Sequence, residues 1–138
     1  MRVALPAALA LLIAASGFVS AGPRRQAAQN PQVIQVTAKK YSYSPDEIHV
    51  RQGARVQLKF TATDHTHGFS PALYPEGSDK KGAPGIVLAT PQKCFRLEKG
   101  QTTTVEFTAV TPGTYTFKCC VRCGFGHGGM KGKIIVEP

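Results

Sequence analysis

Apolar residues recur at every second position in short runs along most of the chain, which is the period of a β-strand with one buried face. Turn residues such as Gln52-Gly53 and Pro112-Gly113 separate these runs at intervals of about 8–12 residues. The apolar positions of the predicted strands are Val33, Ile34 and Val36; Ile48 and Val50; Val56, Leu58 and Phe60; Phe95 and Leu97; Val105 and Phe107; Tyr115 and Phe117; and Ile134 and Val136. The pattern predicts about seven short strands, no helix, and a single all-β domain with a Greek-key sandwich.

The N-terminal residues 1–32 do not follow this pattern. Residues 1–21 carry one Arg ahead of an apolar stretch and end in Val19-Ser20-Ala21, so they are predicted to be a secretory signal peptide. The alternative is an uncleaved N-terminal anchor, which would be the protein's sole contact with a membrane. Residues 22–32 are polar and are predicted to be a flexible tether, which leaves 33–138 as the folded domain. Export predicts a periplasmic or other extracytoplasmic location.

Residues 70–93 interrupt the alternation. They contain Pro71, Pro75, Pro84 and Pro91 together with several charged residues, and they predict an excursion loop. A short strand is expected within it, over residues 86–88. Loops of this length in a compact domain are usually functional or mobile.

Composition and charge exclude several classes of protein. The chain has 138 residues, 42% of them apolar, which is enough for one core and too many for intrinsic disorder. The formal net charge is +9, from 17 Lys and Arg against 8 Asp and Glu. These basic residues are spread over both halves of the chain without a base-reading motif, so no nucleic-acid partner is expected. The sequence shows no Ser/His/Asp arrangement and no phosphate-binding loop, so hydrolysis is not expected.

Four side chains that bind soft metals fall within one glycine-rich segment near the C-terminus. They are Cys119, Cys123, His127 and Met130, in the spacing Cys-x3-Cys-x3-His-x2-Met. The intervening glycines let a loop turn tightly enough to bring these side chains to one centre. Thiolate and thioether groups select copper, and imidazole binds copper as well as zinc. The segment therefore predicts a copper site at the edge of the core.

A further imidazole is expected from the turn that follows the strand of Val56 to Phe60. His67 is the candidate because strand ends of a sandwich meet at one pole, and His65 is the alternative. His49 is expected on a strand surface, away from the metal. Asp64 either orients an imidazole through a hydrogen bond or is solvated.

This donor set is larger than one copper ion requires. A blue copper site takes two His, one Cys and a weak axial Met, so the second cysteine is left over. The extra thiolate predicts a pair of copper ions bridged by both sulfurs. The alternative is one type 1 copper that uses a single cysteine.

The segment Cys-x3-Cys-Gly-x-Gly-His-x2-Met-x-Gly resembles the binuclear CuA loop of cytochrome c oxidase subunit II. Asp64–Phe69 is similar to that family's upstream ligand turn. The resemblance implies a cupredoxin barrel-sandwich that binds two copper ions. The ligands that it implies are His67, Cys119, the backbone carbonyl of Val121, Cys123, His127 and Met130.

By this resemblance the chain transfers single electrons and is linked to a respiratory terminal oxidase. It would be no enzyme alone, and would contribute to cytochrome c oxidase activity as a subunit II-like component. The alternatives are a mononuclear type 1 (blue) copper electron carrier and a periplasmic protein that stores or delivers copper.

Basic residues flank the predicted metal loop at Lys118, Arg122, Lys131 and Lys133. They indicate a redox partner with an acidic docking face, such as a cytochrome or an oxidase, because complementary charge speeds encounter and selects partners. The alternative is a solvated basic surface without a partner.

Cys94 and Cys120 lie outside the ligand pattern. Cys120 follows a predicted ligand, so its side chain is expected to point away from Cys119, and Cys94 is expected on the face opposite Phe95. Our hypothesis is a Cys94–Cys120 disulfide, which leaves no idle thiol in an oxidising compartment.

Overall fold

The computed structural model describes residues 30–138, which form ten strands and one 3₁₀ turn, His127–Gly129. The strands are β1 (Gln32–Lys39), β2 (Ser42–Ser44), β3 (Glu47–Arg51), β4 (Arg55–Ala62), β5 (His67–Pro71), β6 (Ile86–Leu88), β7 (Phe95–Leu97), β8 (Thr102–Ala109), β9 (Gly113–Lys118) and β10 (Lys131–Glu137). The predicted signal peptide and residues 22–29 of the predicted tether lie outside the described residues. Within residues 30–138, no helix has the length and apolar character needed to span a membrane.

Two five-stranded sheets enclose a shared core. One sheet has the order β2-β1-β4-β8-β6 and the other β3-β10-β9-β5-β7. The chain crosses between the sheets repeatedly, and two pairs, β1 with β4 and β3 with β10, run parallel while the other neighbours run antiparallel. The prediction of an all-β sandwich is confirmed.

The alternating pattern correctly identified most of the inward-facing residues, although Val33, which is among the predicted apolar strand positions, is 48% exposed. In β4, Val56, Leu58 and Phe60 are buried and their neighbours along the strand are more exposed. An aromatic cluster fills the core below one end of the sandwich, with Phe69 at its centre. The Phe69 ring lies 4.6 Å from the ring of Phe60 and 5.2 Å from that of Phe117, measured between centroids. This cluster of Phe60, Phe69, Phe95 and Phe117, named the aromatic floor, packs the strand that begins at His67 onto the core, because Phe69 belongs to that strand.

Two strands were missed by the sequence prediction. β2 is three residues long and is bounded by a Ser-Pro step, and β5 contains a glycine and ends in a proline. Neither has the β-branched alternation that marks the other strands, and both form because neighbouring strands pair with them. The short strand expected at residues 86–88 is present as β6, while β5 takes up the first residues of the expected excursion loop.

Candidate metal centre

The first candidate ligand, His67, is the opening residue of β5 and is completely buried. Its Nε2 lies 2.8 Å from Oδ1 of Asp64, in the turn that precedes the strand. Its Nδ1 is buried and has no hydrogen-bond partner among residues 30–138. A buried polar atom without a partner costs free energy, so this nitrogen is a candidate to bind a ligand such as a metal ion.

Asp64 fixes the imidazole of His67. Burial raises the pKa of this carboxyl, but hydrogen bonds from the Lys40 amide, the His67 ring and the His65 amide outweigh that effect and hold the pKa well below its ordinary value. The hydrogen bonds from the Lys40 and His65 amides to this carboxylate are each 2.7 Å long. The ionised carboxylate accepts a hydrogen bond from the Nε2–H group, which leaves the lone pair of His67 on Nδ1. Of the two alternatives for Asp64, the structure thus favours the orienting one.

The thiols of Cys119 and Cys123 lie close to each other and to this imidazole. The Sγ atoms of Cys119 and Cys123 are 3.8 Å apart, and both side chains are buried and free. The Cys119 thiol donates to the carbonyl of Val121 at 3.1 Å and accepts from the amide of Gly68 at 3.3 Å. The ligand atoms of His67, Cys119 and Cys123 all lie within 4.8 Å of one another, which is the spacing of groups that share a metal.

The remaining candidates complete the cluster from the far side of the loop. Sγ of Cys123 lies 3.7 Å from Nδ1 of His127 and 4.0 Å from Sδ of Met130. Met130 is fully buried, and its carbonyl accepts the Cys119 amide at 3.0 Å, which closes the loop. His127, in the 3₁₀ turn, is half-buried. The structure therefore gathers His67, Cys119, Val121, Cys123, His127 and Met130 at one pole.

The buried thiol of Cys123 is protonated at neutral pH unless a cation binds to its sulfur. Burial raises the pKa of Cys123 to about 11, with further contributions from a hydrogen bond and charge at Cys119 and from the charge of Asp64. The sulfur therefore keeps its proton at neutral pH unless a positive ion replaces it. Metal binding to such a site releases the thiol proton, and sulfur donors bind soft ions in preference to hard ones.

The other histidines lie away from this pole or face solvent. His65 is exposed, and His49 lies on the surface of β3 between Glu47 and Glu137, with each of its ring nitrogens 2.9 Å from one carboxylate. The prediction that His49 is a strand-surface residue is correct.

Replacing His49 with Gln should reduce the loss of stability that occurs as pH rises above 6.5, the ordinary pKa of histidine. Hydrogen bonds to Glu137 and Glu47 raise the pKa of His49 above its ordinary value of 6.5. A raised pKa contributes stability that is complete below the ordinary value and is lost as pH rises through the folded value. Urea unfolding of both proteins at about pH 5.5 and about pH 8.5 measures this difference. An unchanged pH profile in His49→Gln would contradict it.

Two tyrosines near the site were not predicted from the sequence. The hydroxyl of buried Tyr43 donates to the carbonyl of Gly68 at 2.5 Å, and the ring of Tyr41 covers Gly124 and Gly126, filling the space that a Cβ would need there. Burial, followed by the nearby charges of Cys119 and Cys123, raises the pKa of Tyr43 far above its ordinary value. The Tyr-x-Tyr alternation around Ser42 was the available sequence signal.

The disulfide hypothesis is confirmed. Cys94 and Cys120 are bonded, with their Cα atoms 5.8 Å apart. Their pairing leaves Cys119 and Cys123 as the free thiols of the described chain.

The fold and the clustered donors agree with the comparisons to known proteins. The family model described as a cupredoxin-like domain matches residues 7–136. The chain belongs to the cupredoxin-like family. Cytochrome c oxidase subunit 2 of Thermus thermophilus is 33% identical to this cupredoxin over 123 residues, which is 89% of the chain and 74% of the relative.

Solved structures share the fold at lower identity. The periplasmic domain of subunit II of cytochrome oxidase from Bradyrhizobium japonicum superimposes on the cupredoxin with a TM-score of 0.57 at 17% identity, covering 77% of this chain and 83% of that one. Auracyanin A of Chloroflexus aurantiacus, a blue copper protein, has a TM-score of 0.58 at 20% identity, covering 78% and 100%. The fold is therefore common to oxidase domains and blue copper proteins, and it does not by itself determine the number of metal ions.

Proposed function

We propose that this cupredoxin binds a CuA-type pair of copper ions and works as a one-electron carrier outside the cytoplasm. The observation that carries the proposal is the buried pair of free thiols, with Sγ atoms 3.8 Å apart, beside an imidazole nitrogen that lacks a partner in residues 30–138. One thiol would satisfy a single blue copper ion, and the second needs an explanation.

The chemistry of the donors fits copper. Thiolate, thioether and imidazole are the groups that copper prefers, whereas magnesium and calcium require oxygen ligands. Copper, when bound, supplies reversible exchange of one electron. The residues that would hold it are Cys119 and Cys123 as shared thiolates, His67 and His127 as imidazoles, and Met130 and the Val121 carbonyl as weak donors.

The protein shields most of this set from water. Cys119, Cys123, Met130 and His67 are 3%, 6%, 0% and 0% exposed, respectively. Asp64 holds the imidazole of His67 in one tautomer, and the aromatic floor below β5 fixes the strand that carries it. Such preorganisation keeps the geometry of the donors constant when charge changes, which favours electron transfer and leaves little room for a substrate.

The surface around the loop supports a redox partner. Phe125, between Cys123 and His127, is fully exposed, and Arg122 in the same loop is exposed. Lys118 and Lys131 are exposed and paired at the strand ends that flank the loop. An exposed apolar side chain on a loop flanked by positive charge suits a partner with an acidic face. By analogy with the oxidase subunit 2 of Thermus thermophilus, that partner would belong to a respiratory terminal oxidase.

A mononuclear type 1 site is the second candidate. Cys123 alone lies near both His127 and Met130, at 3.7 and 4.0 Å, so one copper could be held without Cys119. Storage or delivery of copper is less well supported, because the buried sulfurs favour retention over exchange.

Copper reconstitution of the purified chain should yield two ions per molecule. Metal analysis gives the stoichiometry, and the EPR hyperfine pattern distinguishes an electron shared by two copper nuclei from one on a single nucleus. One copper with single-nucleus hyperfine structure would support the type 1 alternative, and rapid copper loss to a chelator would support delivery. A chain that binds no copper would overturn all three.

The neighbouring histidines provide a matched pair of variants. His67→Ala should weaken copper retention by about 10-fold or more, because it removes a buried donor. His65→Ala, two residues away and exposed, should behave as the unmodified protein. Equal retention by the two variants would remove His67 from the site.

A further inference from the structure

The Cys94–Cys120 disulfide passes over β5 at Gly68. β5 lies between β9 and β7 in its sheet, Cys120 follows the end of β9, and Cys94 directly precedes β7. A Cβ built on Gly68 would lie 2.5 Å from Sγ of Cys120, so the bridge occupies the space of a side chain at this position. Since the neighbours His67 and Phe69 face the core, strand alternation places the bridge on the outer face of the sheet.

Gly68 is also where the two ligand-bearing segments touch. It directly follows His67, and its amide donates to Sγ of Cys119 at 3.3 Å. The amide nitrogen of Val121 lies 2.7 Å from the position of a Cβ on Gly68. A small shift of the loop away from Gly68 would therefore change the distance between the imidazole and the thiols.

The loop needs an external constraint at this point. Between Cys119 and Met130 it contains four glycines, each with access to many backbone conformations. One hydrogen bond, from the Cys119 amide to the Met130 carbonyl, closes the base of the loop, and the other backbone hydrogen bonds within it are short-range, such as that from the His127 amide to the Gly124 carbonyl. The disulfide attaches the start of this glycine-rich segment to β7, on the far side of β5.

We propose that Cys94 and Cys120 are positioning residues for the metal centre. Their bond presses the start of the loop onto Gly68 and thereby fixes the thiol of Cys119 against the imidazole of His67, with or without metal. This inference rests on the proposed function, because it gives the bridge a role in holding copper beyond stabilising the fold.

The test compares Cys94→Ser/Cys120→Ser with a remote core variant, Val50→Ala, in the full chain. Val50 is buried beside Val136, which pairs with Gly113 at the opposite end of the sandwich. The double variant should lose copper to a chelator about 10-fold faster or more, with an altered thiolate-to-copper absorption band. Val50→Ala should lower the melting temperature while keeping the wild-type release rate and spectrum.

A metal-free measurement separates this inference from the proposed function. In the apoprotein, amide hydrogen exchange at Gly68 and Cys119 should accelerate more in the double serine variant than in Val50→Ala, whose lowered stability is not concentrated at these two amides. If the unmodified chain binds no copper, the proposed function fails, and the exchange data still decide whether the bridge orders the two segments.

Gly68→Ala provides a second variant that keeps both cysteines. Its added Cβ should force the bridge and the Val121 backbone away from β5, and so reproduce the faster copper loss with the disulfide intact. This variant decides the question if the double serine variant does not fold. A wild-type release rate, spectrum and exchange pattern in the folded variants would overturn the proposal and leave the bridge as a general staple.

Discussion

Replacing Cys123 with Ser should eliminate the two-copper state, leaving at most one copper per chain and no spectrum of a shared electron. Cys123 is the one side chain whose sulfur lies near Cys119, His127 and Met130 together, at 3.8, 3.7 and 4.0 Å, within the part of the chain that the structure describes. Serine is almost isosteric, so the fold should remain, and its hydroxyl is a poor ligand for a soft ion.

Metal analysis, EPR and visible absorption after reconstitution measure this loss. Arg122→Ser is the matched control, because it makes a polar substitution at the exposed neighbour in the same loop. Two copper ions in Cys123→Ser, with an unchanged hyperfine pattern, would show that the shared-thiolate arrangement is wrong.

Replacing Phe69 with Ala should lower the free energy of unfolding of the apoprotein by about 3–5 kcal/mol. The side chain is fully buried, and its ring contacts the rings of Phe60, Phe95 and Phe117. Truncation removes apolar burial and leaves a cavity that the surrounding strands cannot close.

Urea unfolding of the metal-free protein, with the disulfide intact, measures this cost. Val87→Ala is the control, because Val87 is 45% exposed on the short edge strand β6 and should change stability by less than about 1 kcal/mol. Similar values for the two variants would mean that the aromatic floor does not support the fold as described.

Strand alternation could be predicted from the sequence wherever a strand buries one face against the core. The residues Val56, Leu58 and Phe60 specify both their strand and its inward side. β2 and β5 could not be recognised, because their pairing comes from neighbouring strands rather than from their own composition. Tertiary context overrides local preference in such short elements.

The site was predictable to the extent that its information is local. Cys119, Cys123, His127 and Met130 lie in one loop, so their spacing is visible in the sequence. His67 was inferred from the meeting of strand ends, and the sequence left Asp64 open because a carboxylate near a histidine has many other uses. Tyr41 contacts the loop and Tyr43 bonds Gly68 only after the sandwich forms, and the Tyr-x-Tyr alternation does not by itself reveal what either side chain will contact.

The contact of Tyr41 with the loop divides its glycines into two groups. The ring packs where Gly124 and Gly126 would carry side chains, whereas Gly128 and Gly129 have open space at that position. Natural variation should therefore be tolerated at Gly128 and Gly129, and a larger residue at Gly126 should be accompanied by a smaller one in place of Tyr41. Gly124, with φ +133°, should stay glycine whatever residue stands at position 41. Tyr41 therefore restricts sequence variation in the first half of the loop and leaves the second half free to diverge.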